Sequence, residues 1–565
     1  MEKLIECVPN FSEGRDMNVI RQITDQIESV DGVKLLDVDP GKATNRTVVT
    51  FVGTPDEVVE AAFLAVKKAK ELIDMRHHKG AHPRFGATDV CPLVPVSNIT
   101  MEEVVEYAHK LAQRIGEELD VPVYCYEFAA REEKRRNLAS CREGEYEALP
   151  KRIVTDEWKP DFGPAEWNDE VAKSGVTAVG ARNFLIAYNV NLNTTSTRRA
   201  NAVAFDVRER GRVKREGNPV TGKIVKDENG NPVMMPGMLK AVKAIGWYIE
   251  EYGIAQISMN LTDITVTPLH VAYDAVYERC NARGLRVTGS ELVGVVPLQA
   301  MLDAGKYFLR KQQRSTGIPE KEIIKIAVKS LGLDDLYPFD PEKKIIEYLL
   351  KDKSKKSLVD MNLTDFADET ASESPAPGGG SISAYVGALG VSLGTMVANL
   401  SSHKRGWDDR WEEFSDWAEK GMAIQQELLK LVDEDTNAFN KIMDAFGLPK
   451  GTDEEKAARK KAIQEATKYA IEVPFKVMKK SHESLKVIRA MAETGNPNSV
   501  SDAGVGALCV RSAVMGAFLN VKINASGLND KEFVEKILAE GKEIEDKTLK
   551  EEKEILEIVN RKIEG

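Results

Sequence analysis

Cysteine is scarce in this sequence. Its six copies (Cys7, Cys91, Cys125, Cys141, Cys280 and Cys509) lie far apart with no CxxC pair. That spacing excludes a dense disulfide framework and suits a reducing compartment. Excess positive charge is also missing: 78 Lys and Arg stand against 89 Asp and Glu, a net of -11. Such a chain repels phosphate backbones, so nonspecific nucleic-acid binding is not expected, although a local basic patch stays open. Aromatic residues are few (7%), but 42% hydrophobic and 30% charged residues describe a soluble, globular, slightly helix-leaning protein and exclude disorder for most of the chain. The opening residues, MEKLIECVPNFSEG, lack the apolar run and cleavage site of a signal peptide, so export is not expected. Ser374–Ser402 carries no Asp, Glu, Lys or Arg, yet its many Gly and Ser residues make it too weakly apolar for a membrane span. The length of 565 residues excludes a single ordinary core and points to two or three domains.

Up to residue 126 the pattern alternates. Strands are expected at Leu4–Val8, Val33–Val38, Arg46–Val52, Val90–Val96 and Val121–Tyr126, with a helix at about Asp16–Ser29. Two more helices open on the capping signals Thr54-Pro55-Asp56-Glu57 and Thr100-Met101-Glu102-Glu103. This order predicts an α/β sandwich with helices on one face. A polar, loop-rich passage covers 129–173. A second α/β unit then follows, with strands at Phe184–Leu192, Ala255–Leu261 and Leu292–Pro297 and helices near Met238–Glu251 and Pro268–Arg283. Asn229-Gly230 marks a hairpin between Gly211 and Pro236. Helices are expected at Glu320–Gly332 and Pro341–Leu350, and the charged run 351–357 reads as a linker. Beyond Leu358 strand alternation gives way to long apolar stripes at helical spacing. The expected fold is therefore multidomain: two α/β sandwich subdomains (1–180 and 181–350), the linker 351–357, and an all-α helical bundle (358–565).

Three of the seven histidines fall in Arg76–Asp89. His78 and His82 have the i, i+4 spacing of a helical zinc pair, but Gly80 and Pro83 interrupt any helix there, so no metal site is expected. A loop histidine beside Gly and Pro is instead placed to face a ligand, and an imidazole suits proton transfer near neutrality. A packing histidine is the plain alternative. Asp39 ends a strand before Pro40-Gly41, where it can orient an imidazole or simply form an Asx turn. Lys79, Arg84 and Arg182 are candidate carboxylate clamps, each also readable as a solvated charge. Pro375-Ala376-Pro377-Gly378-Gly379-Gly380-Ser381 precedes a helix and offers backbone N–H groups, but the P-loop lysine is missing. Leu428, Val432, Asp435, Phe439, Ile442 and Phe446 share one helical stripe, which puts Asp435 on an apolar face. A carboxyl there is paired, protonated or at a cavity. Asp502 is a second acidic candidate, with helix-start capping as its alternative role.

Taken together, Glu6–Asp16 (ECVPNFSEGRD), His77–Pro95, Asp161–Pro164 (DFGP), Gly180–Leu192, Ala376–Ser381 (APGGGS), Leu431–Phe439 (LVDEDTNAF) and Leu448–Arg459 resemble the formimidoyltransferase-cyclodeaminase family over nearly the whole chain. The resemblance implies transfer of a formimidoyl group from N-formimidoyl-L-glutamate to tetrahydrofolate as co-substrate. Cyclisation of 5-formimidoyltetrahydrofolate to 5,10-methenyltetrahydrofolate with release of ammonia would follow, without a metal or redox cofactor. It places the transferase histidine on His82 and the cyclodeaminase acid on Asp435. Its folate-binding stretch falls on Gly163, Pro164, Ala165, Glu166, Trp167, Asn168, Asp169, Glu170, Val171 and Ala172, which diverge after Gly163-Pro164. It also implies a cytoplasmic ring-shaped homo-octamer built from dimers, passage of polyglutamylated folate assisted by the Gly-rich helix start and Lys353, Lys355 and Lys356, and no membrane partner. Asn496–Gly504 looks more like bacterial methenyltetrahydrofolate cyclohydrolases, so hydrolysis is the alternative for the last domain. A non-catalytic folate-binding scaffold is the reading from another class.

Overall fold

Strands buried over most of their length set the first sheet. The computed structural model describes residues 3–218, 221–351 and 357–564. It contains two units, 1–305 with 324–351 and 306–323 with 352–565. The linker reading falls almost wholly on 352–356, which lie outside the described residues, as do Lys353, Lys355 and Lys356.

In the first unit, β1 (Leu4–Cys7) and β2 (Asn10–Phe11) form one broken line between β4 (Arg46–Gly53) and β5 (Thr88–Ser97), all antiparallel, and β3 (Lys34–Gly41) flanks β4. Parallel to β5 runs β7 (Thr177–Ala181), and β6 (Val123–Glu127) runs parallel to β7. Ile5, Cys7, Val49, Phe51, Cys91 and Leu93 turn to one side and form a core with the helices Met17–Glu28, Pro55–Leu72 and Met101–Leu119. The last of these opens on the capping box foreseen at Thr100 and Glu103. Even-numbered neighbours such as Glu6, Asn10, Arg46, Thr50 and Pro92 face a groove instead.

A second, antiparallel sheet supplies the other wall. Its order is β11 (Val242–Ile249), β12 (Ile254–Leu261), β8 (Ile186–Leu192) and β13 (Val287–Val293). Between β8 and β11 the chain makes a short ladder of β9 (Arg212–Val213) with β10 (Met234–Met235), within the stretch read as a hairpin. The helix foreseen at Met238–Glu251 is the strand β11. Its residues alternate between buried Val242, Ala244 and Gly246 and more open Lys243, Ile245 and Trp247, a period of two. Gly246 is needed because a Cβ there would lie 2.3 Å from the backbone nitrogen of Asn201. The strand expected at Leu292–Pro297 ends at Val293. The loop-rich passage 129–173 contains the short helices Leu138–Cys141, Glu145–Arg152 and Asp169–Ser174.

The second unit is helical. Gly379–Ser402, Trp411–Gly447, Asp453–Thr494, Val500–Ala525 and Lys531–Glu564 are its main elements. Gly390 and Gly506 face each other, each only 2.9 Å from the other's carbonyl oxygen once a Cβ is built. The glycine spacing in Gly379–Ser402 therefore serves close helix packing. This helix and the segment Pro497–Ala525 are long and apolar enough to cross a membrane, and half or more of each apolar window is buried within the unit. Residues 306–323 belong here and not with the α/β part. Thr316 N–H donates to Ser415 Oγ at 3.0 Å, Asn399 Nδ2 donates to the Gly317 carbonyl at 2.8 Å, and a Cβ on Gly317 would strike Ala418. The architecture is thus a mixed α/β region followed by a mostly helical one.

Candidate functional site

The open faces of the two sheets enclose a groove of about 820 Å³ in the first unit, a size that accepts a cofactor-sized molecule. One side is fixed by the loop after the helix Pro55–Leu72. A Cβ on Gly80 would lie 2.1 Å from the Thr44 carbonyl oxygen, Ala81 N–H donates to the Ala43 carbonyl at 3.1 Å, and the buried His78 ring donates from Nε2 to the Asn45 carbonyl at 2.8 Å. The sequence His78-Lys79-Gly80-Ala81 thus fastens the loop to the turn 42–46 and presents His82 to the groove.

His82 Nδ1 lies 2.8 Å from the Pro83 carbonyl oxygen and 3.2 Å from Arg46 Nη1. With its proton on Nδ1, the ring donates to the carbonyl and keeps the Nε2 lone pair free. Arg46 also donates from Nε to Asn10 Oδ1 at 3.0 Å and pairs with Asp89, which Arg142 binds as well, Nε to Oδ1 at 2.9 Å. Asp89 is buried, so two guanidinium groups share one carboxylate and leave an excess positive charge. Burial, then Arg46 and Arg142, pull the His82 imidazole down to about 2. The neutral base is thus the resting form throughout the physiological range. Side-chain NMR of the free protein should show no titration of this ring between about pH 5 and 8. Because the unfolded value is ~6.5, the unfolded chain takes up this proton first on acidification. His82 therefore withdraws stability as pH falls below about 6.5.

The other sequence candidates separate clearly. Arg182 lines the groove, as does Asp39. Asp39 does not orient the imidazole: its Oδ2 accepts from Gly294 N–H at 3.1 Å and ties β3 to the end of β13. Arg84 spends its donors on Glu147, Met75 and His78 and stacks over Tyr146, so it fastens the loop and leaves no guanidinium edge for substrate. Lys79 is exposed outside the groove lining.

None of Gly163–Ala172 contributes to the groove lining. Gly163 has φ +81 and would place a Cβ 2.3 Å from the Val121 carbonyl oxygen, while a Cβ on Gly116 would sit 2.6 Å from Gly163 N. Asp161 accepts from Cys125 N–H at 2.8 Å and pairs with buried Arg135. Trp167 meets the edge of Tyr146, and Asn168 caps Asp169–Ser174. These contacts explain the DFGP motif as packing. Gly163→Ala should lower unfolding free energy by about 1–3 kcal/mol in denaturant titrations.

Sequence reasoning missed Glu6, Arg46, Arg142 and Lys243, all in the groove lining. Glu6 and Asn10 stand at even positions of the run Glu6-Cys7-Val8-Pro9-Asn10, with Val8 between them in the same groove lining. Among the described residues, no group of three or more His, Cys, Asp or Glu side chains is arranged to hold a metal ion.

In the helical unit, Asp435 Oδ2 accepts from Ser381 N–H at 2.8 Å and lies 3.1 Å from Ser381 Oγ, at the start of the helix Gly379–Ser402. A Cβ on Gly380 would approach Oδ1 to 2.1 Å, so the glycine makes room for the carboxyl. Burial raises the Asp435 pKa, with the Ser381 contacts opposing it. Asn520 stands beside Gly379. The apolar stripe around Asp435 is buried at Leu428 and Val432, but Phe439 and Phe446 are exposed. Asp502 begins the helix Val500–Ala525, and at 1.5 Å per residue it stands about 27 Å along that helix from Asn520, so it takes no part in the Asp435 arrangement.

Family models match the chain in three stretches. Residues 4–182 match the model of the formiminotransferase domain, N-terminal subdomain, 187–351 that of the formiminotransferase domain, and 362–543 that of formiminotransferase-cyclodeaminase. The chain is 45% identical to the formimidoyltransferase-cyclodeaminase of Gallus gallus, over 94% of each chain. It is 43% identical over 309 residues to the glutamate formimidoyltransferase of Thermoplasma acidophilum, covering 54% of this chain and 92% of that one. It is also 41% identical over 175 residues to the methenyltetrahydrofolate cyclohydrolase of Methylorubrum extorquens, covering 31% and 84%. The chain belongs to the formimidoyltransferase-cyclodeaminase family.

Proposed function

We propose that the two units catalyse successive steps on one folate. In the first, N5 of tetrahydrofolate attacks the formimidoyl carbon of N-formimidoyl-L-glutamate. The neutral His82 takes the N5 proton on Nε2 and returns it to the glutamate nitrogen as the C–N bond breaks. The carbon keeps its oxidation state, so proton relay is the chemistry required and no metal or redox cofactor is invoked. The observation that carries this reading is the His82 imidazole at the groove, its Nδ1 against the Pro83 carbonyl and beside the Arg46–Asp89–Arg142 cluster. Substrate carboxylates entering the groove meet Arg46, Arg142 and Arg182 and offset the charge that keeps His82 unprotonated. The imidazolium is then affordable in the complex.

In the second step N10 attacks the same carbon on N5, the N10 proton passes to the imine nitrogen as the ring closes, and Asp435 supplies the second proton so that the nitrogen departs as ammonia. The raised pKa of Asp435 supports that acid role. The test is a pair of assays on purified full-length protein: transfer from formimidoylglutamate to tetrahydrofolate, and ammonia release from 5-formimidoyltetrahydrofolate. The likeness to a protein named methenyltetrahydrofolate cyclohydrolase motivates hydrolysis of the methenyl ring as a second reading for the helical unit. A pure cyclohydrolase would release no ammonia in the second assay.

The same reading takes the protein as cytoplasmic, working without membrane or nucleic acid, and assembled as a homo-oligomer of dimers up to a ring octamer. The exposed apolar side chains Leu389, Leu400, Val505, Leu508, Leu519 and Ile523 on the two glycine-packed helices support the oligomer, because a patch of this kind marks an association surface. Sedimentation of the purified chain checks it: a monomer at micromolar concentration would rule the assembly out.

A further inference from the structure

Glu6 is the groove carboxylate that the proton relay leaves unused. It is 4% exposed, sits on β1 opposite Val52 and Val94, and lines the groove. Other deeply buried carboxylates have cationic partners: Asp89 with Arg46 and Arg142, Asp161 with Arg135, Glu552 with Arg511. Among the described residues none donates a hydrogen bond to the Glu6 carboxylate or forms an ion pair with it, and Arg182 is the charge that acts on it. A largely buried carboxyl without a protein partner is disfavoured where Leu or Val would cost nothing. An acceptor left open toward a ligand groove accounts for that cost.

We propose that Glu6 anchors the pterin ring of tetrahydrofolate, accepting hydrogen bonds from its N3–H and exocyclic 2-amino group so that N5 lies beside His82. This deepens the transferase reading and rests on it. Glu6 and Asn10 are four residues apart on one line of chain and face the same groove, at most about 13 Å. Asn10 accepts from Arg46 Nε, and Arg46 Nη1 stands 3.2 Å from the His82 ring, so Glu6, Asn10, Arg46 and His82 line one groove. Paired N–H donors on a planar edge are the match for a carboxylate with two free oxygens. Burial pushes free Glu6 up to about 7, with Arg182 opposing. Two ligand donors favour the ionised form, so binding expels a proton. The remaining titratable neighbours, Tyr126 and Cys7, are raised by burial and stay neutral in this range.

The test compares tetrahydrofolate with its 2-desamino-2-methyl analogue in the transferase assay of the full-length protein. Glu6→Gln replaces one acceptor with a donor. It should raise the KM for tetrahydrofolate about 10–100-fold, leave the KM for formimidoylglutamate unchanged, and treat the analogue as the wild type does. Circular dichroism and a denaturant titration of the same preparation report that the chain is folded. Should Glu6→Gln fail to fold, the wild type decides. Its preference for tetrahydrofolate over the analogue should shrink as pH falls from 8 to 6 and Glu6 protonates. An unchanged folate KM, a rise in the formimidoylglutamate KM instead, an equal penalty on the analogue, or a preference flat with pH would overturn the proposal. Absence of transfer by the wild type would defeat the transferase reading itself, a separate outcome.

Discussion

Replacing His82 with alanine is expected to lower the rate of formimidoyl transfer by about 10²–10⁴-fold while ammonia release from 5-formimidoyltetrahydrofolate continues at the wild-type rate. The site should otherwise survive the change. Arg46 keeps Asn10 and Asp89, and the loop remains fastened through His78 and Gly80. The pH profile carries a further signature. In the free enzyme the His82 pKa lies near 2, so kcat/KM should show no acidic limb from this group near its ordinary value of ~6.5. In the complex, substrate carboxylates offset Arg46 and Arg142, the imidazolium is stabilised, and kcat should acquire an acidic limb closer to neutrality. A steady-state series from about pH 5 to 9 separates the two, since kcat/KM reports free enzyme and kcat reports the complex.

Asp435→Asn is expected to do the reverse, cutting ammonia release by about 10²–10⁴-fold with transfer intact. The amide nearly matches the carboxyl in shape and can still accept from Ser381 N–H, so the helix start Gly379–Ser402 should keep its geometry. What is lost is the acidic proton that burial makes available at Asp435. Coupled assays on one preparation read both activities. Loss of both together would show that Asp435 acts through folding and not through proton donation. Gly380→Ala provides a control on position, because its Cβ would intrude on Oδ1.

Much of this was legible in the sequence because short-range physics set it. The capping residues Thr100 and Glu103, the alternation in Arg46–Val52 and the helical stripes beyond Leu358 all name their elements without tertiary help. The strand Val242–Ile249 was misread as a helix. Its Gly246 looks like a helix interruption, yet it marks the close approach of Asn201, information held by a residue 45 positions away in the chain. Segment 306–323 lies within the formiminotransferase domain match, and its packing on the helical unit through Thr316, Gly317 and Ser415 is tertiary information that its helical pattern does not carry.

The sites show the same split. His82 and Asp435 stood out because one lies in a loop broken by Gly and Pro and the other on an apolar stripe. Arg46 and Arg142 did not: an arginine in a strand and one in a polar loop carry no local mark of a shared carboxylate at Asp89. Arg84 has the chemistry of a ligand-binding residue, but its hydrogen bonds are spent within the protein, and Gly163–Ala172 have the family position of one but lie outside the groove lining.

Chemical rescue tests the proton-relay account most directly. Transfer by the His82→Ala protein should recover with added imidazole, in proportion to its concentration, because the pocket then admits the base that the substitution removed. Transfer by that variant at the wild-type rate, unaffected by imidazole, would contradict the account.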